Sequence, residues 1–178
     1  MPPTVFLSLD AILAEPQEAA FRSLLALRRL RVMEGANSLD EVLIEAGVVE
    51  QLSIIVSEHR PNFVITNLHL PDIQRTQMRD HMRKLGLATI GENLAEPWST
   101  DVRQSCTRAE EISAWLANHA DTDVTYAIID VEEFNQQVNG TCRGPGTVLI
   151  DSGRRKLSDL ASAVGSILSQ TSGGNPRA

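Results

Sequence analysis

Several short apolar runs of this chain end in side chains that can ionise or donate hydrogen bonds. TVFLS ends in Ser8, with Asp10 two positions on; NFVIT ends in Thr66, followed by Asn67; TYAIID ends in Asp130 and GTVLID in Asp151. Arg108 stands near the start of a helix-like run, RAEEISAWLANH. Carboxylates from two strand ends can hold Mg²⁺, which prefers oxygen ligands and keeps several waters. A hydroxyl such as that of Thr66 can hydrogen-bond a phosphate oxygen, and Arg108 can neutralise a phosphoryl group. Such a set suits phosphoryl transfer through an aspartyl-phosphate, provided a nucleophilic carboxylate is present. Asp10 admits two readings: half of an acidic pair, or a residue that ends a strand.

These residues act together only if the fold gathers them. TVFLSL reads as a short buried strand, and apolar residues recur at helical spacing from about Glu18 to Met33. Asn37 and Ser38 offer a cap for LDEVLIEAG, a short helix that Gly47 should stop, and Val48 to His59 reads as the next helix, with Leu52, Ile55 and Val56 on one face. Arg60, Pro61 and Asn62 break it before the second strand, NFVITNLHL. A helix from Gln74 to Leu85 closes at Gly86; LATIG reads as a third strand, and GENLAEPWSTDVRQSC as irregular. Thr107 is the expected cap of the following helix, with Glu110 as its capping-box partner and Ile112, Trp115 and Leu116 inside. TYAIID, GTVLID and a last helix from Leu157 to Leu168 complete the order. Alternating strands and helices predict a single α/β domain over residues 1–170: a doubly wound, mostly parallel sheet with helices on both faces, a helical elaboration over about 16–57 and a tail at 171–178. Ligands bind at the carboxyl ends of such strands. That rule collects Ser8, Asp10, Thr66, Asn67, Asp130 and Asp151 on one rim.

Composition narrows the partners. The chain has 178 residues, 42% of them apolar but only 4% aromatic, so its core must be built from Leu, Ile, Val and Ala. A net charge of −7 disfavours non-specific attraction to nucleic acid or to anionic membrane. The basic clusters RRLR (Arg28, Arg29, Arg31) and Arg103 to Arg108 are read as solvated helix faces. Cys106 and Cys142 lack metal-ligand spacing, and His59, His69, His81 and His119 lack ligand spacing and are expected at the surface. No run approaches the roughly 20 apolar residues of a bilayer span, and MPPTVFLSLD lacks the basic and apolar regions of a signal peptide. A cytoplasmic location is the expectation. Trp98, in the irregular stretch, is a candidate recognition residue.

Taken in order, the motifs resemble those of the haloacid dehalogenase-like (HAD) superfamily, and most closely small bacterial HAD-like domains related to those of RNA-repair proteins. VFLSLDAIL is similar to the family's first motif, an apolar strand followed by Asp-x-Asp; FVIT, with Thr66, to the second; Arg108 in CTRAEEISAWLANH to the third; and YAIIDVEEF, with Asp130, to the fourth. GLATIG and TVLIDSGRRKLSDLASAV fit the same order, and the likeness covers most of the chain outside about 16–57. The resemblance implies a Rossmann-like fold, an Asp nucleophile and Mg²⁺ held by strand-end acids, here Asp10 and Asp130. The departures are chemical. Ser8 stands where the nucleophilic Asp belongs, and no His base is evident beside it. Asp130 is followed by Val131 where the family often pairs two acids.

This pattern predicts a pseudoenzyme, without a cofactor (Mg²⁺ if any), kept for binding or regulation through a protein partner or self-association. Residues 16–57, with Arg28, Arg29 and Arg31, are the candidate interaction surface. The alternatives are a weak Mg²⁺-dependent phosphohydrolase using Asp10 without an aspartyl-phosphate, and a degenerate response-regulator receiver-like domain. The latter rests on RPNFVITNLHLPDIQRTQMRDHMRKLG, where Asn67 would stand in for the phosphorylated Asp.

Overall fold

The computed structural model describes residues 2–12, 46–66, 73–100, 108–120, 124–131, 147–150 and 159–170. In chain order these form β1 (Thr4–Ser8), a 3₁₀ turn (Leu9–Ala11), α1 (Ala46–His59), β2 (Asn62–Thr66), α2 (Arg75–Lys84), α3 (Ala88–Glu92), β3 (Leu94–Ser99), α4 (Arg108–His119), β4 (Tyr126–Val131), β5 (Thr147–Ile150) and α5 (Leu160–Gln170). The strands make one five-stranded sheet in the order β3-β2-β1-β4-β5, and every pairing is parallel. The α/β class and the parallel sheet expected from the sequence are present.

A parallel sheet is covered on both faces, which is why its central strands read as unbroken apolar runs. All five residues of β1 are buried. Alternation sends Val5, Leu7, Phe63, Ile65, Ala127 and Ile129 to one face, where Val48, Leu52 and Ile55 of α1, Met78 and Met82 of α2 and Leu160, Val164 and Leu168 of α5 close over them. Phe6, Val64 and Ile128 face the other way and meet Ile112 and Trp115 of α4. Phe6 and Trp115 pack edge to face with ring centroids 5.4 Å apart, and the Trp115 indole N–H donates to the Pro97 carbonyl at 3.2 Å. Each fully buried Leu, Ile or Phe contributes roughly 1.5–3 kcal/mol. The scarcity of aromatics therefore puts most of the stability into these aliphatic rows.

Local boundaries follow from individual residues. Helix α1 ends where Arg60 takes a φ of 48°, a left-handed conformation that reverses the chain into Pro61 and β2. Helix α2 opens with a reciprocal capping box between Gln74 and Gln77. It closes at Gly86, whose φ of 78° suits a residue without a Cβ.

Several boundaries differ from the expectation. Gly47 does not stop a helix; it lies inside α1, which begins at Ala46, because the buried stripe of Val48, Leu52 and Ile55 sustains the turn through it. LATIG is not a strand. It supplies the short helix α3, because Leu87 and Ile90, three apart, both turn into the core, and the Leu87 amide bonds back to Met82 at 2.8 Å. Gly91 brings α3 close to α2: a Cβ there would stand 3.1 Å from both the Arg79 carbonyl oxygen and the Met82 Cβ. The stretch read as irregular contains β3, at the edge of the described sheet, where Pro97 is tolerated since no described strand needs its missing N–H. Trp98, expected in an irregular segment, lies in this strand, is 8% exposed and packs into the larger core.

The segment around Arg28, Arg29 and Arg31, most of the expected elaboration over 16–57, and the tail at 171–178 lie outside the described residues; α1 forms the end of that elaboration. No helix among the described residues is long and apolar enough to cross a membrane.

Candidate functional site at the carboxyl edge of the sheet

The strand register sets the site. Ser8 pairs with Thr66, Leu7 with Ile129 and Ile65 with Ser99. One position further, Thr100, Thr66, Ser8 and Asp130 therefore form a single row across β3, β2, β1 and β4, and the Thr100 amide bonds the Ile65 carbonyl at 3.2 Å. With strands about 4.8 Å apart, the row spans roughly 14 Å. It lies at the strands' carboxyl ends, where the order turns between β1 and β4, the place at which open α/β sheets bind ligands. Alternation puts Ser8, Thr66 and Asp130 on the face of Phe6, Val64 and Ile128, beneath α4.

All four row residues are buried, at 4%, 1%, 0% and 2% exposure from Thr100 to Asp130. Helix α4 presents Arg108 and Glu111 to them, three residues apart on one helical face and both buried. The Arg108 guanidinium donates through Nη1 to Asp130 Oδ1, forming an ion pair whose two side chains are 5% and 3% exposed. At the other end the Thr100 hydroxyl donates to Glu111 Oε2 at 3.0 Å. Between these pairs, Ser8 Oγ and Thr66 Oγ1 have no hydrogen-bond partner among the described residues. Such buried orphans cost free energy, on the order of 1–3 kcal/mol each, and are uncommon in folded proteins.

The structure thus brings together Ser8, Thr66, Arg108 and Asp130. Arg108 is no solvated helix residue, because it is the counter-ion of a buried strand-end acid. Asp10 lies in the 3₁₀ turn directly after β1; Asn67, His69, Cys106, Thr107, Cys142 and Asp151 fall outside the described residues. His119 is exposed beside Trp115, whereas His59 is only partly exposed and turns its Nε2 toward Gly165 of α5. Two site residues escaped the sequence reading, Thr100 and Glu111. Thr100 follows the strand taken for an irregular stretch. Glu111 is the neighbour of Glu110, the expected capping-box residue; its position three residues after Arg108 is the signal the sequence offers.

Chemically, the arrangement offers one guanidinium, two buried acids and a row of hydroxyls, with a hydroxyl at the place where a strand-end nucleophile would be needed. A serine hydroxyl becomes nucleophilic only with a base in reach, and no imidazole stands in the row. Asp130 is the one acid of the row and already binds a guanidinium, and no group of three His, Cys, Asp or Glu side chains suited to a metal forms among the described residues. No family model, no curated protein and no solved structure matches this chain.

Proposed function

We propose that the chain is a catalytically degenerate HAD-like domain with a doubly wound sheet, a pseudoenzyme retained for binding or regulation through a protein partner or a second copy of itself. The observation that carries this reading is the Ser8-Thr66-Asp130 row with Arg108 closed onto Asp130. The family resemblance asks for a carboxylate at position 8 and a strand-end acid available to metal. The row has a hydroxyl at the first, and at the second an acid occupied by the protein's own cation. A metal at Asp130 would have to compete with that guanidinium for the Oδ1 oxygen.

The described strand order, 3-2-1-4-5, supports the doubly wound part of the reading and weighs against the receiver-like alternative, whose strands run 2-1-3-4-5. No observation favours the phosphohydrolase alternative.

Calorimetric titration with Mg²⁺ tests the proposal. The wild-type chain should take up no Mg²⁺ at millimolar concentration, and Ser8→Asp, which sets a second carboxylate one strand from Asp130, should gain uptake. Saturable wild-type binding below 1 mM, on the order of 4 kcal/mol or more, would overturn it. Gel filtration with light scattering separates the partner and self-association versions.

A further inference from the structure

On the sheet face opposite Arg108, α2 carries four Arg or Lys side chains and one Asp in ten residues, within a chain of net charge −7. Arg75, Arg79 and Arg83 recur every four residues, so they form one stripe beside the buried ridge of Met78 and Met82. Like charges at this spacing repel and weaken an isolated helix. The flanking members are partly compensated. Arg75 donates to the Leu94 carbonyl and lies 3.6 Å from Glu96, and Arg83 pairs with Asp80 at 3.0 Å. Arg79, between them, is exposed and makes no hydrogen bond or ion pair among the described residues. Its Cγ passes close to Gly91 of α3, 3.2 Å from where a Cβ on that residue would stand. A guanidinium with no ion pair among the described residues, flanked by two others, favours an anion.

We propose that the Arg75-Arg79-Arg83 stripe docks an acidic protein segment in extended conformation, with carboxylates at alternate positions. The spacing carries the choice. Neighbouring arginines of the stripe stand about 6 Å apart along the helix, and alternate residues of an extended chain stand about 6.7 Å apart on one side. Each guanidinium can therefore meet one carboxylate, and Arg can hold carboxylates through two parallel hydrogen bonds. Charge range favours a short acidic segment over nucleic acid. Screening confines the stripe's field to roughly 8–10 Å at physiological salt, so a short segment meets only the basic helix. A nucleic acid would run on over the acidic remainder of the chain. This surface lies apart from the sheet-edge row, so the failure of either proposal leaves the other standing.

Fluorescence anisotropy of the full chain with three labelled probes of equal charge tests it: a peptide of alternating Glu and Ser, one with its Glu residues in a block, and a single-stranded oligonucleotide. The alternating peptide should bind about tenfold more tightly than the block peptide. Arg79→Glu with Arg83→Glu should abolish that binding, and Arg79→Lys should retain most of it; both positions are exposed, and circular dichroism checks that the variants fold. Equal binding of the block peptide, tighter binding of the oligonucleotide, no binding at 50 mM salt, or binding that survives the charge reversal would each overturn the proposal.

Discussion

Removing the Arg108 guanidinium should be among the most damaging single changes to this fold. In Arg108→Met the helix keeps a side chain of similar length, but the Asp130 carboxylate, whose side chain is 3% exposed, loses its counter-ion. Stripping one partner from a buried ion pair costs about 3–5 kcal/mol, because the remaining charge stays out of water without that counter-ion. That is a large share of the roughly 5–15 kcal/mol by which domains are stable. With a urea slope of about 2 kcal/mol per molar, the unfolding midpoint should fall by about 1.5–2.5 M. Asp130→Leu alone takes this carboxylate from the guanidinium and should also destabilise, by less, since the long Arg side chain can carry its charge toward water. The double variant Arg108→Met with Asp130→Leu removes both charges and should return to within about 1–2 kcal/mol of wild type. Urea unfolding of the four proteins, followed by circular dichroism, gives the coupling energy directly. Single variants costing under about 1 kcal/mol, or a double variant whose loss equals the sum of the singles, would refute the claim that the pair is buried and mutually dependent.

The remaining predictions also concern groups fixed by the geometry. Ser8→Ala and Thr66→Val each delete a buried hydroxyl with no described partner, so chemical denaturation should show stabilities unchanged or raised by up to about 1 kcal/mol; a loss of 2 kcal/mol would mean that the hydroxyls are bonded. Gly91→Ala should cost about 1–3 kcal/mol, since the new Cβ meets the rigid Arg79 carbonyl and Met82 Cβ. Gly165→Ala should cost less or stabilise, because its Cβ meets only the tip of the His59 ring, at 3.0 Å, and helix propensity gains about 1 kcal/mol. Thermal melts rank the two, and the reverse order would refute the packing of α3 on α2.

Much of the architecture was legible because parallel strands buried on both faces leave apolar runs that need no alternation: β1, β2, β4 and β5 all come from such runs. β3 hid because Glu96 and Pro97 interrupt LAEPWS, and an edge strand tolerates both. α3 was misread since five residues are too few for a helical period to show against a strand. Ser8, Thr66 and Asp130 could be placed on one rim by strand ends alone. The burial of Arg108 could not, because a basic residue at a helix start is solvated unless the register aims a strand-end acid at it, and register is a property of the assembled sheet. Glu111 was hidden for the same reason: its role depends on Thr100, the end of the strand that went unread.

The central claim is that the sheet-edge site no longer performs phosphoryl chemistry. Its most direct test is to incubate the purified chain and its Asp10→Asn variant with Mg²⁺ and a panel of phosphate monoesters, measuring released phosphate. Neither protein should release phosphate above background. Release by the wild-type chain that Asp10→Asn abolishes would contradict it.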